Sequence, residues 1–105
     1  MIPASEPRLV NIEVLGREVF NVAAFSRATV QANVVSGSWG TTVITIRRGN
    51  NRWDFAALES AVTLTASGVT AELDTEGYAW LAVDVTTAAG AAGYSNITVC
   101  KKTEG

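Results

Sequence analysis

The amino-acid sequence predicts an all-β fold: one antiparallel β-sandwich, jelly-roll or immunoglobulin-like, of about eight short strands. Valine and threonine, whose branched side chains suit a pleated strand better than a helix, are abundant, whereas leucine, lysine and glutamate are sparse. Short stretches of alternating apolar and polar residues recur between turn-forming residues at intervals of about 8–12 residues, which is the spacing of strands in sandwiches and barrels.

The clearest strand is predicted at 28–35. There Ala28, Val30, Ala32 and Val34 would face one side and the polar residues between them the other, which is the period of a half-buried strand. The same argument, applied along the chain, predicts further strands at 9–14, 18–25, 42–48, 52–58, 62–65, 69–73, 78–86 and 94–100.

The 105 residues fit a single domain that can bury a core without disulfides. Residues 1–7 contain Pro3 and Pro7, each lacking a backbone donor, so this segment is predicted to be an extended arm. The sandwich would then occupy 8–101 and a polar tail 102–105. The first residues lack the basic and apolar regions of a signal peptide, and no apolar run approaches the ~20 residues of a membrane helix. Synthesis in a host cytoplasm is therefore expected.

The sequence lacks the residues on which the most common catalytic mechanisms depend. There is no histidine to activate a serine or cysteine or to bind zinc, and only one cysteine, Cys100, which is predicted to be a small buried apolar residue. A net charge of −2 provides no field for nucleic acid or an anionic membrane. We therefore expect a protein that is not an enzyme, needs no cofactor and works by binding.

Three carboxylates at alternate positions, Glu72, Asp74 and Glu76, are the best candidates for a cation site. Their spacing lacks the pattern of a calcium loop. A solvated strand end running into a turn is the favoured interpretation.

A hairpin tip is predicted at Gly49-Asn50-Asn51, because Gly and Asn tolerate positive φ. A helical turn remains an alternative for residues 53–60. Exposed Arg and Trp are favoured anchors of protein interfaces, although charges at a tip can also simply keep an edge soluble, and stacking on nucleic acid ranks below both. Four candidate interface residues surround this tip: Arg47, Arg48, Arg52 and Trp53.

Aromatic residues of two other segments are also candidates. Trp39, between glycines, is predicted to fill the core. Tyr78 and Trp80 alternate with the apolar positions of the strand at 78–86, so they either form an outer binding surface or belong to a strand that is buried on both sides.

The segment 39–99 resembles small structural proteins of tailed phages. The resemblance rests on the β-branched stretch 42–48, the Asn-rich turn with Trp53, the strand at 78–86 with Thr87, and the small-residue loop that leads into Ile97-Thr98-Val99. In these general features the segment is similar to capsid decoration (cement) proteins. This resemblance implies a homotrimer on the outside of the virion, bound to the major capsid protein or another virion protein.

Two hypotheses follow. In the first, the protein is a virion structural protein, and the arm with Pro3, Pro7 and Arg8 contacts another subunit. In the second, it is a carbohydrate- or receptor-binding module in which exposed aromatic rings stack on sugars. Aromatic rings lined up beside a groove would favour the second hypothesis.

Overall fold

Nine strands form two antiparallel sheets in the parts of the chain that the computed structural model describes, residues 4–51, 53, 55–56 and 62–103. The strands are β1 (Ala4–Asn11), β2 (Gly16–Asn21), β3 (Arg27–Gly37), β4 (Val43–Gly49), β5 (Phe55–Ala56), β6 (Val62–Leu64), β7 (Thr70–Asp74), β8 (Trp80–Thr87) and β9 (Gly93–Lys102). The predicted all-β sandwich is confirmed. No helix among these residues is long and apolar enough to cross a membrane.

Strands alternate between the two sheets along the chain, except that β4, β5 and β6 all lie in the same sheet. Sheet A has the order β1-β9-β3-β7, and sheet B the order β2-β8-β4-β5, with β6 also paired to β4. The antiparallel pairs are nested around one centre: β4 with β5 and β6, β3 with β7, β2 with β8, and β1 with β9. This nesting over two sheets is the jelly-roll arrangement, so the fold is the first of the two sandwich types that the sequence predicts.

The core lies between the sheets and is built from every second residue of the strands. In β3 the predicted alternation is confirmed, with Ala28, Val30 and Ala32 fully buried. Trp39 is buried as predicted, and its indole Nε1 donates to the Thr65 carbonyl oxygen at 3.1 Å. The largest fully buried apolar side chains are Phe20, Ile12, Ile44, Ile46, Leu64, Leu81 and Ile97.

Residues 4–7 differ from the prediction of a free arm, because they form the first half of β1. Pro7 lies opposite Thr98 of β9, on a strand at the edge of sheet A. The Ile12 N–H donates to the Gly93 carbonyl at 3.1 Å, which makes the even-numbered positions of β1 those that bond to β9. Pro7 is an odd-numbered position, so its nitrogen faces the open edge and no ladder hydrogen bond is lost. Pro3 lies outside the described residues.

Candidate interaction surfaces

Three connections meet at one end of the sandwich, which we call the loop end: residues 22–26, the tip at 50–53 and residues 75–79. Backbone hydrogen bonds tie them together. The Val22 N–H donates to the Ala79 carbonyl at 2.8 Å, and the Ala79 N–H donates to the Gly49 carbonyl at 3.2 Å. The loops are therefore fixed relative to one another by the ends of β2, β4 and β8.

An open groove of about 540 Å³ lies at the loop end. Its aromatic walls are Phe25 and Tyr78, and each ring also packs against a cation, with the Lys101 Nζ 5.4 Å from the centre of the Phe25 ring and the Arg48 Cζ 4.6 Å from that of Tyr78. Ala24 has a left-handed φ of 69°, which is unusual for a residue with a Cβ. The groove is lined by Ala23, Ala24, Phe25, Ser26, Asn50, Glu76, Gly77, Tyr78, Ala79 and Thr103.

Trp53 is the most exposed large apolar side chain of the described residues, at 82%. It lies three residues along the chain from Asn50 of the groove, and its backbone N–H donates to the Asn51 side-chain oxygen at 2.9 Å. This local bond links Trp53 to Asn51, and the indole stays in solvent. Of the tip residues singled out in the sequence, Arg52 lies outside the described part of the chain.

Arg47 and Arg48 are neighbours in β4, but their side chains lie on opposite faces of sheet B, because side chains alternate along a strand. Arg47 points outward from sheet B, where its Nε donates to Asp84 Oδ2 at 3.1 Å. Arg48 points inward, and its Nη1 donates to the Asp74 carbonyl at 2.7 Å beneath Tyr78. The arginine cluster predicted around the tip is therefore wrong for this pair.

The outer face of sheet B is occupied by contacts within the chain. Buried Asp84 accepts from Arg17 at 2.7 and 2.8 Å as well as from Arg47, and the Arg17 guanidinium lies 4.9 Å from the centre of the Phe55 ring. The hydrogen bond that Arg17 donates to Asp84, opposed by partial burial and aided by the carboxylate charge, raises the pKa of Arg17. This face already pairs its charges internally.

Trp80 is half-buried on that same outer side of β8, whose next five residues are all buried. The strand at 78–86 is thus enclosed on both sides, the second of the two alternatives predicted for it. Tyr78 is likewise half-buried, and its ring packs against the Arg48 guanidinium. Neither ring forms an open stacking platform.

Arg8 closes the side of the sandwich where β1 and β2 are the edges of their sheets. Its guanidinium lies 4.2 Å from the centre of the Phe20 ring, 3.2 Å from the Glu6 carboxylate and 4.0 Å from that of Glu18. The residue predicted to contact another subunit is engaged within its own chain.

The carboxylates considered for a cation site have local roles instead. Glu72 forms an ion pair with Arg27, Asp74 Oδ1 accepts from the Glu76 backbone N–H at 2.8 Å, and Glu76 lines the groove. Within the described ranges, no group of three or more His, Cys, Asp or Glu residues is placed to hold a metal ion.

The outer face of sheet A was not singled out in the sequence. Its four charged residues, Arg27, Glu72, Asp74 and Lys102, lie together at one end of the face. Cys100, predicted to be buried, is half-buried on this face, because it alternates with the core residues Ile97 and Val99. We call the remainder the uncharged face; it consists of the outward residues Ser5, Pro7, Leu9, Asn11, Thr29, Gln31, Asn33, Val35, Tyr94, Asn96, Thr98 and Cys100.

The fold is shared with a prophage protein. The crystal structure of the SPBc2 prophage-derived protein YomS matches this chain with a TM-score of 0.66 and 16% sequence identity, over 94% of this chain and 96% of that one. At this identity the similarity shows a common fold. No protein-family model matches the sequence, and no curated protein is significantly similar to it.

Proposed function

We propose that this chain is a structural protein of a phage particle, a capsid decoration protein that binds the major capsid protein through its loop end. The observation that carries this proposal is the position of Trp53, a tryptophan that is 82% exposed and lies beside the groove of the loop end. An exposed tryptophan is a favoured interface anchor, because its ring combines a large apolar area with a polar N–H group.

Tryptophan is among the residues that contribute most to protein interfaces. Burying the ring removes roughly 150–250 Å² from water, which stabilises a complex by a few kcal/mol. The groove that Asn50 lines would receive a neighbouring segment of the partner, whose side chains would exclude water around the tryptophan.

Single contacts of this size are weak, and a capsid shell repeats them many times. Copies held in one oligomer would bind a lattice far more tightly than each copy alone, because the second contact is intramolecular. The homotrimer implied by the resemblance to cement proteins would act in this way. Under this proposal the chain performs no bond-breaking chemistry.

The fold and its structural neighbour support the general part of the proposal, a phage protein, rather than the specific role in decoration. Jelly rolls recur in viral capsid proteins, and also in lectins, so the architecture alone does not decide between these functions. YomS is described as prophage-derived and has the same fold, which supports a phage origin for this chain.

The proposal is tested by adding the purified protein to phage heads that lack it and measuring co-sedimentation. We expect wild-type protein to bind with saturation and Trp53→Ala to bind at least about tenfold more weakly. Leu15→Ala is the matched control, since Leu15 is 66% exposed at the opposite end of β2. Equal binding of Trp53→Ala and wild type, or no binding of wild type, would refute the proposal.

A carbohydrate-binding module is the second candidate, because Trp53 beside a groove also suits stacking on a sugar ring. Among the described rings of the loop end, Trp53 alone is open, since Tyr78 and Phe25 each pack against a cation. Quenching of Trp53 fluorescence by host-surface polysaccharide, with no binding to phage heads, would favour this candidate over decoration.

A further inference from the structure

The two outer faces of the sandwich differ in how their polar groups are satisfied. On sheet B, the Asp84 carboxylate binds two guanidinium groups of the same chain. On sheet A, the charged residues lie at one end, and the uncharged face presents only apolar, amide, hydroxyl and thiol side chains in the described strands. A surface without charge is unusual on a soluble domain, where charged residues normally cover exposed sheet faces.

Three exposed apolar side chains lie close together on this face. Leu9 is 63% exposed, Val35 58% and Tyr94 42%. Leu9 lies opposite Asn96, two positions along β9 from Tyr94, and such diagonal neighbours are about 7–8 Å apart, within reach of an aromatic ring. Val35 lies in the β3 bulge beside Ser36, which pairs with Tyr94. The three side chains therefore form one patch across β1, β9 and β3.

The polar groups beside this patch suit a second copy of the same face. Asn33 and Asn96 lie opposite each other in the middle of sheet A, and each amide both donates and accepts hydrogen bonds. Two identical faces brought together around a two-fold axis could pair such amides, whereas they would repel if the face carried charge.

The size of the face fits a small interface. Three strands about 4.8 Å apart and four outward rows about 6.7 Å apart give a footprint on the order of 400 Å². A standard stable interface buries about 800 Å² on each partner. The face alone therefore supports a weak, concentration-dependent association.

We infer that the uncharged face binds the same face of a second copy, so that Leu9, Val35 and Tyr94 of the two chains pack against each other around a two-fold axis. This interface lies on a different surface from the loop end, and it stands or falls independently of binding to a capsid.

Sedimentation equilibrium of the full chain over a wide concentration range tests this inference. Wild-type protein is expected to associate reversibly in pairs through this face, either as two single chains or as two of the proposed trimers. Leu9→Asp should raise the dissociation constant of this pairing at least about tenfold, because a carboxylate would be buried in the interface without a partner. Leu15→Asp is the control, since Leu15 is as exposed as Leu9 but lies in the turn before β2. Both positions are on the surface, so both variants should keep the wild-type far-ultraviolet spectrum.

Amide chemical shifts measured against concentration locate the interface without mutation. Shifts confined to the outward positions of β1, β9 and β3 would support the inference. A chain that stays monomeric at the highest concentration, or a dimer that Leu9→Asp leaves intact, would overturn it. If the isolated chain is monomeric and Leu9→Asp instead weakens its binding to phage heads, the face belongs to another virion protein and the inference is wrong.

Discussion

Asp84 binds the Arg17 guanidinium with both carboxylate oxygens, at 2.7 Å to Nε and 2.8 Å to Nη2. Arg47 Nε donates to the same carboxylate at 3.1 Å, so one acid joins β2, β8 and β4 across the outer face of sheet B. The acid itself is buried, while both guanidinium groups remain partly in solvent.

Replacing this acid should destabilise the fold. We expect Asp84→Asn to lower the free energy of unfolding by about 1–2 kcal/mol, because two guanidinium groups lose their counter-ion, while their exposure to solvent limits the loss. Urea unfolding measures the difference. Glu13→Gln removes an exposed carboxylate outside the ion pairs of the described residues and should be neutral. Equal stability of the two variants would show that the Asp84 contacts contribute nothing.

Two glycines separate backbone strain from steric overlap. Gly37 and Gly77 both have positive φ, at 78° and 86°, but a Cβ on Gly37 would overlap the Ala92 carbonyl, whereas one on Gly77 would meet open space. Gly77→Ala should cost about 1 kcal/mol for the left-handed conformation alone. Gly37→Ala should cost clearly more, because β3 must also move away from the start of β9. Thermal unfolding compares them, and equal losses would contradict the close approach.

Pro7 should protect the open edge of β1. Its nitrogen faces away from β9, so Pro7→Val would add a free N–H to an edge that already offers the donors of neighbouring odd positions. We expect more association of Pro7→Val by light scattering. Ser5→Val is the matched control, because it introduces the same side chain at another outward position of β1 without adding a donor. If the two variants scatter equally, the missing donor has no protective effect.

The three tryptophans should respond differently to a quencher. Trp39 is buried, Trp80 is half-buried and Trp53 is exposed. In wild-type protein, acrylamide should quench one red-shifted component of the emission. Trp53→Phe should remove that component and leave the free energy of unfolding unchanged within about 0.5 kcal/mol, as for other surface changes. Persistence of the accessible component in this variant would mean that the tip is folded back onto the protein.

Local alternation was sufficient to predict every strand of the described chain at least in part. The predicted strand at 28–35 became β3, and that at 94–100 became β9, because one side of each faces the core. The first half of β1 was missed, since it is stabilised by residues 98–101, which no local pattern connects to it. Pro7 was correctly taken to exclude a central strand. It is compatible with β1 because β1 lies at the edge of sheet A.

The sequence indicated the exposure of one candidate residue but not how the other candidates are arranged. The tip residue Trp53 was singled out from its sequence neighbours and is exposed. Arg47 and Arg48 were grouped because they are adjacent, and strand geometry separates them. The partner of Arg47, Asp84, lies 37 residues away in the sequence, so its contact depends on the pairing of β4 with β8.

The nesting of the strands also sets the order in which they can be completed. β9 lies between β1 and β3, yet the ribosome makes its 10 residues after all the other described strands. Until then β1 has no neighbour in its sheet, and sheet A cannot close over the core. Contacts so distant along the chain fold slowly. The core of a nascent chain therefore stays incomplete until β9 has been made. Shortening β9 would remove the centre of sheet A, and both adjacent strands would lose the partner that they pair with.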